Sequence, residues 1–284
     1  MDTSWVGQRG HGSRGAFSRI LWMLMLIALL CATAGCGTLS NGRGWGQDAF
    51  SKVRRKTIAR AAHDAFFDLQ TLLPAAAALV LGPSGLGESV SDWAAEQTPV
   101  FGSQRTARNV SDNLRWLLAG ETMATLMATP SGLDAGEWWQ AKAKGLGVEL
   151  LAAGVSAGAT AGLKAAFNRR RPNEDDQFSL PSGHASSAFS LSTLSNRNLD
   201  SLELAPWLRT SLQVSNLLTA STIAWARVEA HEHFPEDVLA GAALGHFLSA
   251  FVHDAFMGLP ASRHFRLLIW PSKSEAMVSI AFPF

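Results

Sequence analysis

The chain is poor in cysteine, in charge and in long uninterrupted apolar runs. Its only two cysteines, Cys31 and Cys36, both lie near the N-terminus. No disulfide can therefore staple the remainder, and whatever folds there must be held by its core. Charged residues make up 17% of the chain against 47% hydrophobic, and 24 Lys and Arg face 23 Asp and Glu. That balance argues against a nucleic-acid binder, which carries a marked basic excess. No interior run is as long and charge-free as a clear membrane span, no HExxH pair or internal repeat is present, and few stretches alternate as strands do. What is left for 284 residues is a well-buried helical core, in one large domain or two small ones, that suits a position at a membrane.

The first 36 residues have the layout of an export signal. Arg9, Arg14 and Arg19 form a basic leader, Ile20 to Leu30 (ILWMLMLIALL) an apolar core of signal-peptide length, and Ala32, Thr33, Ala34 and Gly35 a small-residue end. A plain secretory signal would be cut near Ala34. TAGC followed by Gly37 instead resembles the lipobox of bacterial lipoproteins, with Cys36 as the lipidated first residue and Thr33 where that motif usually has leucine. The remaining alternative is an uncleaved N-terminal anchor. Gly37, in place of the aspartate associated with inner-membrane retention, points to the outer membrane. Residues 37–56 then read as a tether: GTLSNGRGWGQDAF is rich in glycine and polar groups. SKVRRK is either an attractor of anionic head groups or the solvated start of a helix.

Six helices are expected, at about 57–82, 111–128, 136–168, 183–196, 206–230 and 235–257, separated by glycine, proline or polar breaks. The class is all-α, a six-helix bundle over residues 57–258. In the third helix, Gly147 to Leu163 (GVELLAAGVSAGATAGL) carries many small residues, which suits a tightly packed central helix. The tail, 259–284, reads as a short β-hairpin that covers part of the bundle. Its terminal Phe284 is of the kind that ends outer-membrane barrels, but one hairpin closes no barrel.

Three clusters carry chemistry. In KAAFNRRRP, Lys164 and Arg171 lie nearly two helical turns apart, on one face, and Pro172 ends the helix, leaving cations at its C-terminus. Taken alone, such arginines are solvated charges that compensate a helix dipole. In PSGH, Ser182 is a good N-cap, and the free N–H groups of a helix start, Gly183 included, make an anion site. His184 in that first turn would stand beside a bound anion, ready to give it a proton; the alternative is an ordinary capped helix with an exposed histidine. In ARVEAHEHFPED, Pro235 suits the first helical position, so Asp237 at the third reaches back toward the preceding residues, His233 among them. A carboxylate on one ring nitrogen fixes the tautomer and leaves the other nitrogen's lone pair free to attack. His231, His233 and Asp237 are also ligand types that zinc accepts. Metal ranks below phosphate, because alternate residues point apart, further ligands are lacking and the nearby guanidiniums repel a cation. His231 and Glu232 are read as bystanders.

In this order, KxxxxxxRP, PSGH and RxxxxxHxxxD resemble the signature of the type 2 phosphatidic acid phosphatase and vanadium haloperoxidase superfamily, over about Gly147 to Phe256. The resemblance implies a metal-free phosphotransfer site in a helical bundle. His233 would form a phosphohistidine, Asp237 would orient it, and His184 would protonate the leaving oxygen and then activate water. Lys164, Arg171, Arg227, Ser182 and the Gly183 backbone would hold the phosphoryl oxygens, an arrangement in which fixed cations can serve without magnesium. Ala226 stands where the pattern usually has serine, and the 173–180 loop is short and acidic, its charge read mainly as a means of keeping it in water. The implied substrate is a phosphorylated lipid or a small phosphomonoester, no metal or cofactor is implied, and vanadate would inhibit. Two other outcomes are a haloperoxidase with vanadate as cofactor and a non-catalytic envelope lipoprotein that keeps the fold. The expected location is the periplasmic side of the cell envelope, with a membrane contact through the N-terminal anchor.

Overall fold

The computed structural model describes residues 35–51 and 53–259, and the backbone of two strands beyond them. Residues 1–34, the basic leader and apolar core of the export signal among them, lie with Lys52 and Phe284 outside the described residues. Among these are eight helices: α1 (Arg55–Phe66), α2 (Leu69–Leu81), α3 (Leu86–Gln97), α4 (Gln104–Ala128), α5 (Ala135–Phe167), α6 (Gly183–Asp200), α7 (Pro206–Glu229) and α8 (Pro235–Phe256). The strands, β1 (Arg266–Pro271) and β2 (Ala276–Ala281), pair antiparallel with Arg266 opposite Ala281.

The expected count of six is corrected to eight. The first expected helix is broken at Phe67 and Asp68, where the Asp68 carboxylate accepts from the Gln70 N–H at 2.9 Å and starts a new helix. α3 was not expected, and α4 begins well before residue 111. There Ser103 caps the helix, accepting from the Thr106 N–H at 3.1 Å, and the polar turn that follows carries little apolar periodicity to signal it.

The central helix is α8, not the glycine-rich α5. α8 packs against α6, α2, α5 and α1, and Val238, Ala242 and Ala243 join the core with Ala185, Ala188 and Ile223. Its glycines make this possible. A Cβ on Gly241 would lie 2.5 Å from the Ser182 carbonyl oxygen, and one on Gly245 would collide with the carbonyl of Ser186. The backbones of α6 and α8 therefore touch where the PSGH turn begins, and the Ser182 N–H donates to the Asp237 carbonyl at 2.9 Å. By contrast, Gly154, Gly158 and Gly162 of α5 face open space. The small residues of α5 that do pack are Ala152, Ser156 and Thr160, with both hydroxyls reaching Ser186, at 3.1 and 2.8 Å.

Residues 37–50, expected as a tether, are held against the bundle. Gly37 bridges to Gly132, and the Trp138 indole N–H donates to the Gly35 carbonyl at 3.0 Å. Trp45 is fully buried against Gly145, where a Cβ would overlap its ring. An indole of this size buries enough apolar surface to fix the segment. Cys36 is exposed beside the start of α5.

The two glycine sets separate experimentally. Gly245→Ala is expected to cost about 1–3 kcal/mol by overpacking, whereas Gly158→Ala should gain about 0.5–1 kcal/mol of helix propensity. Thermal melts of the two variants check this, and equal shifts in Tm would refute the assignment of the close contact to α8.

Candidate active site

The three motifs meet at one end of the bundle because each lies at a helix terminus there: Lys164 at the end of α5, PSGH at the start of α6, Arg227 in the last turn of α7 and His233 just before α8. Lys164 passes beside Gly183, where a Cβ would lie 3.8 Å from its Cε, and its ammonium donates to the Phe178 carbonyl. Ser182 is buried and its hydroxyl caps α6, accepting from the Ala185 N–H at 3.4 Å.

His233 is only 2% exposed. The chain reaches it through a tight turn in which His231 has φ of 58° and the N–H groups of Glu232 and His233 both donate to the Arg227 carbonyl. Asp237 is fully buried. Its Oδ2 accepts from the Phe234 N–H at 3.0 Å, as its helix position implies, and also from the Ser179 hydroxyl. It stands 3.9 Å from the His233 Nδ1, and that nitrogen has no hydrogen-bond partner among the described residues. The carboxylate faces the ring without bonding it. Arg169 holds it instead, donating to Asp237 Oδ1 at 2.7 Å and to Glu236 Oε1 at 2.6 Å while its guanidinium lies over the Phe234 ring.

The main correction concerns Glu232. Read from sequence as a bystander, its carboxylate sits among three guanidiniums: Arg171, Arg227 at 3.1 Å and Arg108 at 2.7 Å. Glu232 thus occupies the cationic cradle with an anion of its own. Arg108 belongs to α4, which carries none of the motifs, and the same helix face supplies two more contacts. Ser111 accepts from Arg227 Nη1 at 3.2 Å, and the Asp112 carboxylate meets His184 Nε2 at 2.7 Å. Positions 108, 111 and 112 share a helix face, a spacing visible in the sequence, but nothing there says that the face meets these motifs. His231 does stand aside, 3.2 Å from Asp92 of α3. The acidic loop is partly absorbed as well: Asp176 accepts from Arg171 Nε at 2.8 Å, so its charge does more than solvate the loop. Ala226 is buried against Ala107 and Ala230.

The field of this site acts on both histidines. Burial, reinforced by the charges of Lys164, Arg171 and Arg227, pushes His233 well below its ordinary pKa. Burial and then Arg227 lower His184 to about 4, against the opposing pull of Asp112. Both rings are neutral near pH 7, and a neutral imidazole has a lone pair to use. Among the described residues no group of three or more His, Cys, Asp or Glu converges as a metal site would require.

Known proteins fit this picture. The PAP2 superfamily pattern matches residues 146–259. The lipid A 1-phosphatase of Porphyromonas gingivalis is 31% identical over 125 residues, which are 43% of this chain and 26% of that protein. The chain thus matches only about a quarter of that relative's length. The fold is similar to the crystal structure of a transmembrane PAP2 type phosphatidylglycerolphosphate phosphatase from Bacillus subtilis, with a TM-score of 0.50 at 21% identity, covering 67% of this chain and 93% of that one. Ordered motifs, helical architecture and family pattern coincide on residues 146–259, and it is over that segment that the chain is similar to the PAP2 superfamily.

Proposed function

We propose that the protein is a phosphatase that hydrolyses lipid phosphates at the cell envelope through a phosphohistidine and needs no metal. The observation that carries this reading is a buried, neutral His233 placed in the field of Lys164, Arg171 and Arg227, with His184 close enough to share that field. In this mechanism the phosphoryl oxygens replace the Glu232 carboxylate on Arg171 and Arg227. Once the negative phosphoryl group offsets the Arg227 and Arg115 charges that hold its pKa down, His184 takes up a proton. His233 then attacks phosphorus, the ester P–O bond breaks, and the protonated His184 gives that proton to the departing oxygen. A water then loses a proton to His184 and attacks phosphorus, the P–N bond breaks, and phosphate leaves with both rings restored. Fixed cations around the transferring group supply the electrostatic part of such catalysis.

A lipid ester is favoured over a soluble one by what borders the cations. An apolar groove of about 370 Å³ runs between α2, α5 and α8, lined among others by Ala78, Leu79, Leu163, Phe167 and Pro181. Leu163 is adjacent to Lys164 in the chain and Pro181 to Ser182, so a tail in the groove brings its head to the site. The names of the two relatives, a lipid A 1-phosphatase and a phosphatidylglycerolphosphate phosphatase, are in keeping with this. Membrane contact is supported by α5 and α8, both long and apolar enough to cross a bilayer, and by exposed Leu73, Leu79, Leu150 and Leu218. The exposed Cys36 supports the lipid-anchor reading, with the chain on the periplasmic side.

Purified protein is expected to release inorganic phosphate from phosphatidic acid in the presence of chelator, and vanadate should block it. His233→Ala should fall to assay background and His184→Ala should lose about 10² to 10⁴ in rate; full activity in His233→Ala would overturn the mechanism. Filling the groove with Ala78→Trp should raise KM for long-chain phosphatidic acid about tenfold, the worth of two buried methylenes, and leave 4-nitrophenyl phosphate turnover unchanged. Because the folded pKa of His184 lies below that of the unfolded chain, unfolding takes up a proton between pH 6.5 and about 4. Stability is therefore lost as pH falls through that window. Melting curves across it should be less pH-dependent for His184→Gln than for the wild type.

A further inference from the structure

We infer that Asp112 of α4 is a positioning residue for His184, so that the proton-transfer histidine has its own carboxylate, supplied by a helix outside the three motifs. The inference rests on the phosphatase reading above. The geometry is direct: Asp112 Oδ1 lies 2.7 Å from His184 Nε2, a normal distance for a charge-assisted bond. His233, the attacking ring in that reading, has a carboxylate at 3.9 Å that bonds Arg169, Ser179 and the Phe234 N–H instead. Of the two site histidines, it is thus His184 that is bonded to an acidic side chain.

The consequence follows from the chemistry of the ring. A carboxylate on Nε2 takes the Nε2–H and assigns the exchangeable proton to Nδ1. When the substrate's negative charge has let the ring take up a second proton, His184 can give the Nδ1 proton to a leaving oxygen and recover one from water, neutral in between, without changing its hold on Asp112. While the ring is positive, the same carboxylate offsets the field of Arg227 and Arg115, which both disfavour the charge. Asp112 is held in place by its helix, whose neighbouring residues are tied into the site. Arg108, one turn earlier, binds Glu232, and Ser111 accepts from Arg227. Its side chain is about half exposed, so replacing it removes little packing.

A proton donor matters most for a leaving group that cannot depart as an anion. Asp112→Asn, Asp112→Glu and His184→Ala are to be compared with the wild type on phosphatidic acid, whose aliphatic leaving group needs a proton to depart as an alcohol, and on 4-nitrophenyl phosphate, whose leaving group departs as a stabilised phenolate. Asp112→Asn is expected to lose about 10- to 100-fold in kcat on phosphatidic acid, with a loss at least tenfold smaller on the phenyl ester. His184→Ala should show the same skew, the double variant should be no worse than His184→Ala alone, and Asp112→Glu should recover most of the rate. Equal losses on both esters, no loss, or a gain in Asp112→Asn would overturn the role of Asp112 while leaving the phosphatase intact. A wild type inactive on both esters would instead remove the phosphatase reading itself, and this role with it.

Discussion

Three guanidinium groups, those of buried Arg227, largely buried Arg171 and half-exposed Arg108, converge at one end of the bundle, and an anion among them offsets their repulsion. Like charges this close repel, most strongly between the two that are largely out of water, Arg171 and Arg227. Glu232 supplies that anion from within the chain. Much else follows from this constraint. The turn between α7 and α8 must deliver Glu232 inward, which it does with His231 in a left-handed conformation. The next residue, His233, is thereby carried into a buried position, where burial, reinforced by the charges of Lys164, Arg171 and Arg227, keeps it neutral.

The close contact of α6 with α8 is the second requirement, because the anion site of PSGH has to face the turn that carries His233. Gly241 and Gly245 let the two helices approach to backbone contact, and the Ser182 N–H closes the join on the Asp237 carbonyl. α8 can be the central helix because its small residues face four neighbours, while α5, equally rich in small residues, turns several of its glycines outward. Composition alone does not separate the two, since a small side chain permits close packing without requiring it.

The all-α class and the motif residues were legible in the sequence, because fixed spacings at helix ends place Lys164, Arg171, Ser182, His184, Arg227, His233 and Asp237 whatever the rest of the chain does. The break at Asp68 and the early start of α4 were not, since both depend on polar caps rather than on apolar periodicity. The contributions of Arg108, Ser111 and Asp112 were hidden for a different reason. They share a face of one helix, and only tertiary packing shows that the face meets His184 and Arg227. Glu232 was misjudged because an acid beside a motif histidine reads as incidental until the arginines around it are located. Arg169 escaped notice within the RRR run, where sequence offers no means of telling which arginine faces the carboxylates of α8.

Cys36 is pinned beside the first turns of α5, and Lys164 lies near the other end of that helix. From Trp138 to Lys164 the axis runs about 40 Å at 1.5 Å per residue. The lipidation candidate and the cationic centre are therefore the two ends of one strut, longer than the roughly 30 Å hydrocarbon core of a bilayer. Were lipid to fix the Cys36 end at a membrane surface, with the strut standing clear of it, the far end would meet head groups on a facing surface or molecules in the space between. Were the strut instead to cross the bilayer, the two ends would open to different compartments. The length of α5 thus governs which surface or compartment the cationic end reaches, independently of the residues gathered there.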